Sequence, residues 1–460
     1  MSVALAVTAT LAVGPPLTLD EVLKSVELHH PLVVAANTEI DVARGTLLSA
    51  EGGFDVYLHG KAGGYAAGYY EGIASEVGVR QPTTLWGTEL YAGYRYGEDH
   101  PIYDAQKLTS DNGEVAAGII VPLWRDGPID ARRAEMWQAE VGVEVAKLAA
   151  NEKLRLTKLK AAELYFKWVA SHEKLRIAES LLELAQQRVT GIERRVARGD
   201  IPRIELVDNE RLIVSRQQGV VEARRAVQAS AFALSLFQRD DDGRPDVPTY
   251  ARAPGGLEGP RPVPPVRDQD IRSALARRPD LAQYAGIMKR LRTELELAEN
   301  MRAPNVDLKV EGSKDFGVER PYGPDPNETT KNDTTLGLSL SFKWPAQQRK
   351  ARGKIQSVSA KLRAVRAKQG FLQDVVKMEV NDAWSELSTA RTRATLSRRT
   401  LELTRQVEVA ERRRFELGDS SILQVNLREE ATAKAAKDLV DALVTSHRAA
   451  ARYRAVTAAL

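Results

Sequence analysis

The chain of 460 residues contains no cysteine. This absence excludes disulfides, thiolate nucleophiles, thiolate metal sites and an N-terminal lipid-bearing cysteine. The six histidines show neither the His-x-x-x-His nor the His-Glu-x-x-His spacing of metal-binding helices, and no glycine-rich phosphate loop precedes a helix. We therefore expect no enzymatic activity, no catalytic residue, no cofactor and no metal site.

Long apolar runs and a charge excess are also missing. Lys plus Arg number 66 against 62 Asp plus Glu, and no tight basic cluster carries interleaved aromatics. We therefore expect no nucleic-acid partner. Beyond the N-terminus, no stretch approaches the 18 uninterrupted apolar residues that identify a spanning helix. If this protein enters a membrane, it must do so with strands.

The N-terminal segment is apolar and rich in small residues. It runs from Ser2 to Val13 and is followed by Gly14 and two prolines. Residues 1–14 therefore predict a secretory signal peptide, although the usual positive n-region is missing. A misplaced start codon would explain that gap, and a frayed apolar tail is the alternative interpretation.

Proline is absent from two very long stretches. Residues 129–198 and 349–417 contain none, and a helix of 70 residues is about 105 Å long. In the first stretch, apolar and small residues recur at alternating steps of three and four, which predicts a coiled-coil seam. These positions are Ala161, Leu164, Trp168, Ser171, Leu175, Ala178, Leu182, Ala185, Val189, Ile192 and Val196.

Several features occur twice at nearly constant offset. A seam begins after Pro31 and another begins 248 residues later, after Pro279. The junctions that precede the long stretches are marked by Trp124 and Trp344. We therefore predict two internal repeats, residues 15–238 and 268–460, joined by a Pro-, Gly- and Asp-rich linker over residues 239–267.

Each repeat also contains the pattern Arg-x-x-x-Gly-Asp after its long helix. The two copies begin at Arg195 and Arg414. Glycine allows a chain to leave a helix through a left-handed residue, and aspartate is a favoured cap for the next helix. We therefore predict two helical hairpin tips, at residues 198–201 and 417–420.

Between the helices lie two regions with β composition. Residues 54–124 hold 11 of the 27 aromatic residues, and residues 305–344 include nine positions of strict alternation from Leu336 to Trp344. This pattern suits a transmembrane strand with an interfacial Trp344, while a half-buried strand of a soluble sheet is the alternative. The first region is longer, so it contains either an extra hairpin or an elaborate loop.

The order of these elements resembles the TolC-like outer-membrane efflux proteins over nearly the whole chain. The motifs that carry the resemblance are Pro31-Leu32, Pro279-Asp280-Leu281, Val121-Pro122-Leu123-Trp124 and the two glycine tips. The resemblance implies an α+β membrane protein with a long coiled-coil α-barrel in the periplasm. It also implies a transmembrane β-barrel in outer-membrane lipid, completed by trimerisation because a small strand set cannot close alone.

The same resemblance implies a function and partners. Such a homotrimer is the exit duct of a tripartite efflux or secretion system, and it works with a periplasmic adaptor and an inner-membrane pump or ABC exporter. The adaptor would contact the tips at Arg198, Gly199, Asp200, Leu417, Gly418 and Asp419. A periplasmic coiled-coil adaptor or scaffold without channel activity is the alternative function.

The family's gate residues carry over only in part. The tip tyrosine falls at Phe415 and its carboxylate partner at Glu205. The following arginine falls at Ser420, and the carboxylates of the constriction fall at Gln424 and Leu427. We therefore expect neither the usual hydrogen-bonded gate nor an acidic ring. A basic rim and solvated, partly neutralised helix ends remain the two alternatives for the tip arginines, which are Arg194, Arg195, Arg198, Arg203, Arg412, Arg413 and Arg414.

Overall fold

The computed structural model describes residues 15–67, 72–98, 109–110, 112–259, 267–317 and 334–459. The predicted signal peptide lies outside these residues. The chain forms two compact units. The turn unit consists of Met1–Thr38, Leu148–Ala282 and Phe371–Leu460, and the sheet unit consists of Glu39–Lys147 and Gln283–Gly370.

Helices and strands alternate along the chain. The helices are α1 (Leu19–His29), α2 (Pro31–Glu51), α3 (Ala131–Ala197), α4 (Ile204–Ser235), α5 (Arg267–Arg277), α6 (Pro279–Asn300), α7 (Arg349–Leu417) and α8 (Ile422–Val456). The strands are β1 (Tyr57–Tyr65), β2 (Gly72–Pro82), β3 (Glu89–Glu98), β4 (Glu114–Pro122), β5 (Asn305–Asp315) and β6 (Thr334–Lys343).

The two proline-free stretches are single helices. α3 has 67 residues and α7 has 69, so the predicted helix over 349–417 is confirmed to the residue and the one over 129–198 starts two residues late. All eleven predicted seam positions of α3 are buried or half-buried. Periodicity located them because only one stripe of a long helix packs against its neighbours.

Aromatic and aliphatic side chains of several helices form the main core of the turn unit. Trp168 and Val169 of α3 are fully buried there, together with Val22 of α1 and Leu234 of α4. A second cluster joins Ala274 of α5 to α7 and α8. Burial of such side chains contributes about 1.5–3 kcal/mol each.

Prolines break the helical path twice, between α1 and α2 and between α5 and α6. His30 precedes Pro31, is buried and stacks on Phe237 with ring centroids 5.0 Å apart. Arg278 precedes Pro279, and its buried guanidinium pairs with Asp280 at 2.6 Å. Burial lowers the pKa of His30, whereas carboxylate partners raise the pKa of Arg278. The two helix breaks are thus stabilised by different chemistry.

In the sheet unit, the six strands form one antiparallel sheet in sequence order, β1 to β6. The pairing of β4 with β5 joins the strands of the two halves. The first half therefore contributes four strands and the second half two. This settles the length difference between the two β regions: the first contains an extra hairpin, β2–β3.

The two faces of the sheet differ in chemistry. By direct cross-strand pairing, one face carries apolar side chains from every strand, with a few polar exceptions such as Ser75, Gln81 and Lys314. The large exposed apolar side chains are Leu58, Ile73, Val77, Val79, Leu90, Tyr94, Val115, Leu336, Leu338, Leu340 and Phe342. The opposite face carries charges, including an ion pair of Arg95 with Glu311 at 2.9 Å.

The ends of strands that lead toward the helices carry tryptophans. Trp86 lies in the β2–β3 turn, Trp124 follows β4 and Trp344 follows β6, and all three are exposed. Trp344 was predicted as an interfacial residue, and its indole nitrogen donates to the carbonyl oxygen of Arg302 at 3.1 Å. Among the helices of the described ranges, none combines the length and the hydropathy of a membrane-crossing segment.

Candidate functional site

The candidate site is the pair of helix–helix turns in the turn unit. Gly199 and Gly418 have φ angles of +78° and +89°, the left-handed conformation that glycine adopts without steric cost. The amide of Asp200 donates to the carbonyl of Arg195 at 2.9 Å, and the amide of Asp419 donates to that of Arg414 at 2.9 Å. Both turns are thus the same glycine-terminated helix end, the Schellman motif.

The aspartates do not cap the following helices, contrary to the sequence expectation. Ser421 is the N-cap of α8, where its hydroxyl accepts from the amide of Gln424, and Arg203 precedes α4 without a side-chain cap. Asp200 instead pairs with Arg198 at 3.1 Å. Three residues separate Asp200 from α4 and two separate Asp419 from α8, which places both carboxylates beyond reach of the first free amides.

The predicted gate residues have separate environments. The ring of Phe415 lies under the guanidinium of Arg195, 5.1 Å from its centroid, so it contacts a cation rather than a carboxylate. Ser420 donates to the buried Glu411. Glu205 is half-buried in the first turn of α4, where its charge suits the helix dipole.

The two constriction positions, Gln424 and Leu427, expose their side chains on α8. Among the described residues, no hydrogen bond or ion pair joins one of the five predicted gate residues to another. Within one chain they do not form a cluster. The six residues predicted to contact an adaptor form the two glycine turns, and Leu417 among them is 71% exposed. Their role in adaptor binding stays a prediction.

Several of the tip arginines are neutralised. Arg412 pairs with Glu408 at 2.6 Å, Arg414 lies 3.5 Å from Glu411, and Arg198 contacts Asp200. Arg194, Arg203 and Arg413 are exposed. Carboxylates thus lie beside three of the seven arginines, and both alternatives, a basic rim and partly neutralised helix ends, stay predictions.

A buried charge cluster close to the turns was missed by the sequence reasoning. Glu429 of α8 is almost fully buried and binds Arg188 of α3, Arg216 of α4 and Arg412 of α7, the last two at 3.0 and 3.1 Å. Asn426 of α8 accepts from Arg188 at 2.6 Å. One carboxylate thus joins all four helices that lead to the two turns.

A signal for this cluster exists in the sequence. On α8 the buried stripe runs through Ile422, Val425, Glu429 and Ala433, so a glutamate occupies a position that helical spacing assigns to the core. Buried carboxylates require compensating partners. Those partners lie 17 to 241 residues away, so the sequence alone did not identify them.

The described part of the chain contains no group of three or more His, Asp or Glu side chains that is arranged to hold a metal ion.

No family model matches the sequence, and no curated protein matches it either. Solved structures do. The outer-membrane channel OprN superposes with a TM-score of 0.68 at 13% identity, covering 96% of this chain and 90% of that one. The outer membrane protein VceC of Vibrio cholerae gives 0.65 at 14% identity, covering 95% of both chains.

A third similar structure is the CmeC outer membrane channel of Campylobacter jejuni, with a TM-score of 0.64 at 11% identity, covering 96% of this chain and 85% of that one. Identities this low establish the fold and no more. The predicted resemblance is confirmed at that level: this chain has the fold of the TolC-like outer-membrane efflux channels.

Proposed function

We propose that this protein is the outer-membrane exit duct of a tripartite efflux or secretion system. It would act as a homotrimer that passively conducts cargo delivered by an inner-membrane pump or ABC exporter through a periplasmic adaptor. Its strands would lie in outer-membrane lipid and its helices in the periplasm. The energy for transport would come from the pump, because the chain offers no catalytic or nucleotide-binding motif.

The observation that carries this proposal is the apolar face of the sheet. Eleven large apolar side chains on that face are exposed. Soluble monomers rarely expose contiguous apolar patches of more than a few hundred Å². Strands of nine to eleven residues also match the length that a tilted strand needs to cross a bilayer.

The free edges of the sheet support a trimer. Among the described strands, β1 pairs only with β2, and β6 pairs only with β5. Unpaired edge amides and carbonyls are not tolerated in hydrocarbon, since each unsatisfied group costs several kcal/mol. Further copies of the chain would pair these edges and close the sheet.

The two glycine turns support a contact with a partner. Both expose apolar side chains, with Leu417 on one turn and Ile204 beside the other, 71% and 66% exposed. Because both turns share the same backbone motif, they would present similar surfaces to a coiled-coil adaptor. A periplasmic adaptor or scaffold is the weaker candidate, because the function of a water-surrounded protein does not require an exposed apolar sheet face.

Membrane fractionation and planar-bilayer recording test the proposal. We expect the protein in the outer-membrane fraction, as a trimer on SDS gels that dissociates on heating, and we expect the purified trimer to produce stepwise conductance. A periplasmic monomer without conductance would refute the channel and favour the adaptor.

A further inference from the structure

The membrane sheet has an unequal contribution from the two halves of the chain. The second half supplies β5 and β6, whereas the first supplies β1 to β4. If both halves supplied two strands, three copies would provide twelve. The extra pair, β2–β3, occupies Gly72–Glu98 and decides the strand number.

The extra pair has the same dimensions as its neighbours. β2 has 11 residues and β3 has 10, against 9 to 11 in the other four strands. The register with β1 and β4 runs without interruption, from Tyr57 opposite Arg80 to Glu89 opposite Ile120. A loop outside the membrane is constrained neither to the length nor to the register of membrane strands.

The extra pair also keeps the chemistry of both faces. Val77 and Val79 of β2 and Leu90 of β3 lie on the apolar face and are exposed. On the opposite face, Arg80 of β2 pairs with Glu89 of β3 at 3.0 Å. An apolar outside and a paired, charged inside are what a wall between lipid and water requires.

The turn between β2 and β3 contacts the end of the neighbouring strand β4. Trp86 in this turn donates from its indole nitrogen to the carbonyl oxygen of Pro122 at the end of β4, at 2.9 Å. Trp86 is therefore held at the end of β4, which Trp124 follows, and tryptophans concentrate at membrane interfaces.

The turn is also held by the start of the long helix. A Cβ added at Gly127 would lie 2.6 Å from the Trp86 indole nitrogen, and one at Gly87 would collide with the carbonyl oxygen of Asp126. The buried Arg133 donates to that same carbonyl at 2.7 Å. The extra pair is thus packed into the junction of β4 and α3.

We infer that all six strands of each chain form the channel wall, so that the trimer closes with eighteen strands through pairing of β1 with β6 of the next copy. This inference rests on the proposed channel function. An even number of strands makes β1 antiparallel to β6, so a second copy extends the sheet in the same up-and-down pattern.

The strand number sets the width of the pore. With strands about 4.8 Å apart and tilted by about 40°, twelve strands give a wall about 24 Å across, and eighteen give about 36 Å. The cross-section is roughly doubled. Its lining would be polar, since Arg95 lies within 3.5 Å of Glu114 and binds Glu311. The sheet would therefore suit bulky hydrophilic cargo.

Cysteine cross-linking tests the inference, and the chain's lack of native cysteine makes it clean. Ala62→Cys in the middle of β1 is combined, one at a time, with cysteine at Leu336, Leu338, Leu340 or Phe342 of β6; all five lie on the apolar face. Directly opposed residues of antiparallel strands lie within the Cα separation that a disulfide needs.

The matched control is Ala92→Cys, in the middle of β3 on the same face, combined with the same β6 cysteines. It would cross-link if β1 and β2 lay outside the wall and β3 were its edge. If β2 and β3 lay outside instead, β1 would pair with β4, and Ala62→Cys with Ala117→Cys on the same face of β4 would cross-link within one chain, which we do not expect. We expect covalent dimers and trimers from at least one Ala62→Cys combination, lost on reduction, and none from Ala92→Cys.

The opposite pattern, or trimers without any Ala62→Cys cross-link, would overturn the eighteen-strand wall and leave the channel function standing. Failure of the cysteine-free protein to form an outer-membrane trimer would refute both. In bilayers, poly(ethylene glycol) about 20 Å across, added on the extracellular side, should lower the conductance; its complete exclusion would contradict the wider wall.

Discussion

Near the turns, we expect substitution of Glu429 to be especially destabilising. Its carboxylate is almost fully buried and compensates three guanidinium groups on three other helices. A buried ion pair that loses one partner is destabilised by about 3–5 kcal/mol, because the remaining charge stays desolvated. The cluster therefore holds the ends of α3, α4, α7 and α8 together through one group.

We expect Glu429→Gln to loosen the turns while the trimer persists. Glutamine keeps the shape but leaves Arg188, Arg216 and Arg412 with no compensation from α8 and with mutual repulsion. Single-channel conductance of the purified trimer should rise, and the turns should be cleaved faster by trypsin.

The adjacent, exposed Glu430→Gln removes the same charge outside the cluster and serves as the control. It should leave both readouts unchanged. Equal behaviour of the two variants would show that the cluster does not restrain the turns.

His172 is the second residue whose surroundings have a measurable consequence. It is 1% exposed, packs against Trp168 and Tyr250, and neither ring nitrogen has a hydrogen-bond partner among the residues that the structure describes. Burial, with Arg176 nearby, lowers the pKa of His172 to about 4. The folded protein therefore keeps this imidazole neutral where an unfolded chain would bind a proton.

The sign of the pH effect follows from that difference. Below pH 6.5 the unfolded state binds more protons, so the stability present at neutral pH is lost as the pH falls from 6.5 towards 4. At pH 5 the loss attributable to His172 is about 2 kcal/mol per chain. Thermal dissociation of the trimer in detergent should occur at a lower temperature at pH 5 than at pH 7.5.

His172→Phe should reduce this pH dependence, because the phenyl ring fills the site without titrating. The dependence should not vanish, since burial also lowers the pKa of His30 and His447. An unchanged difference between pH 7.5 and pH 5 in the variant would exclude His172 as a contributor.

At the scale of elements, β6 offers the sharpest test of which sheet face meets lipid. Leu338 and Ser339 are neighbours in mid-strand and lie on opposite faces, since Leu338 pairs with Val310 and Ser339 with Lys309. Arginine on the lipid side of a barrel costs about 2–4 kcal/mol at the bilayer midplane, whereas substitutions facing the lumen are tolerated.

We therefore expect Leu338→Arg to reduce the heat-labile trimer in the outer membrane severalfold, and Ser339→Arg to leave it near the wild-type amount. Quantitative immunoblots of unheated membrane fractions measure both. If Ser339→Arg were the damaging change, the assignment of the two faces would be reversed.

The elements differ in how far the sequence predicts them. The long helices were predicted almost to the residue, since their proline-free seams extend over many turns. The second β region was predicted by the strict alternation that ends at Trp344. β2 was missed, although Val77 and Val79 alternate with Glu76, Gly78 and Arg80, because small residues such as Ala74 and Ser75 blur its two faces.

The site was predicted less completely than the fold. Gly199 and Gly418 were found because a left-handed helix end demands glycine, which is a local constraint. The aspartate caps were wrong, since the next helices begin further along the chain. The Glu429 cluster depends on residues from four helices, and sequence spacing carries no information about which helices meet.

For the whole molecule, trimerisation would multiply every charge at the turns by three. Of the three α7 arginines at the turn, Arg413 is the most available to a permeating ion, because it is exposed while Arg412 and Arg414 lie against carboxylates. Within the described part of the chain, Arg413 forms no ion pair. Charges of one sign around a narrow opening raise the local concentration of the opposite ion.

We therefore expect Arg413→Glu to shift the trimer's selectivity towards cations. The substitution changes the charge by two per chain, and a Debye length of about 10 Å at 0.1 M salt lets that charge act across a constriction. The permeability ratio of K⁺ to Cl⁻, taken from reversal potentials in a salt gradient, should rise severalfold, and the rise should shrink at 1 M salt because the Debye length falls to about 3 Å.

Arg225→Glu on α4 makes the same charge change at an exposed arginine, about 32 Å of helix away from the start of α4. That distance is several Debye lengths, so this variant should keep the wild-type ratio. A similar shift in both variants would mean that total charge, rather than the turns, sets selectivity. No shift in either would place the narrowest part of the pore away from Arg413.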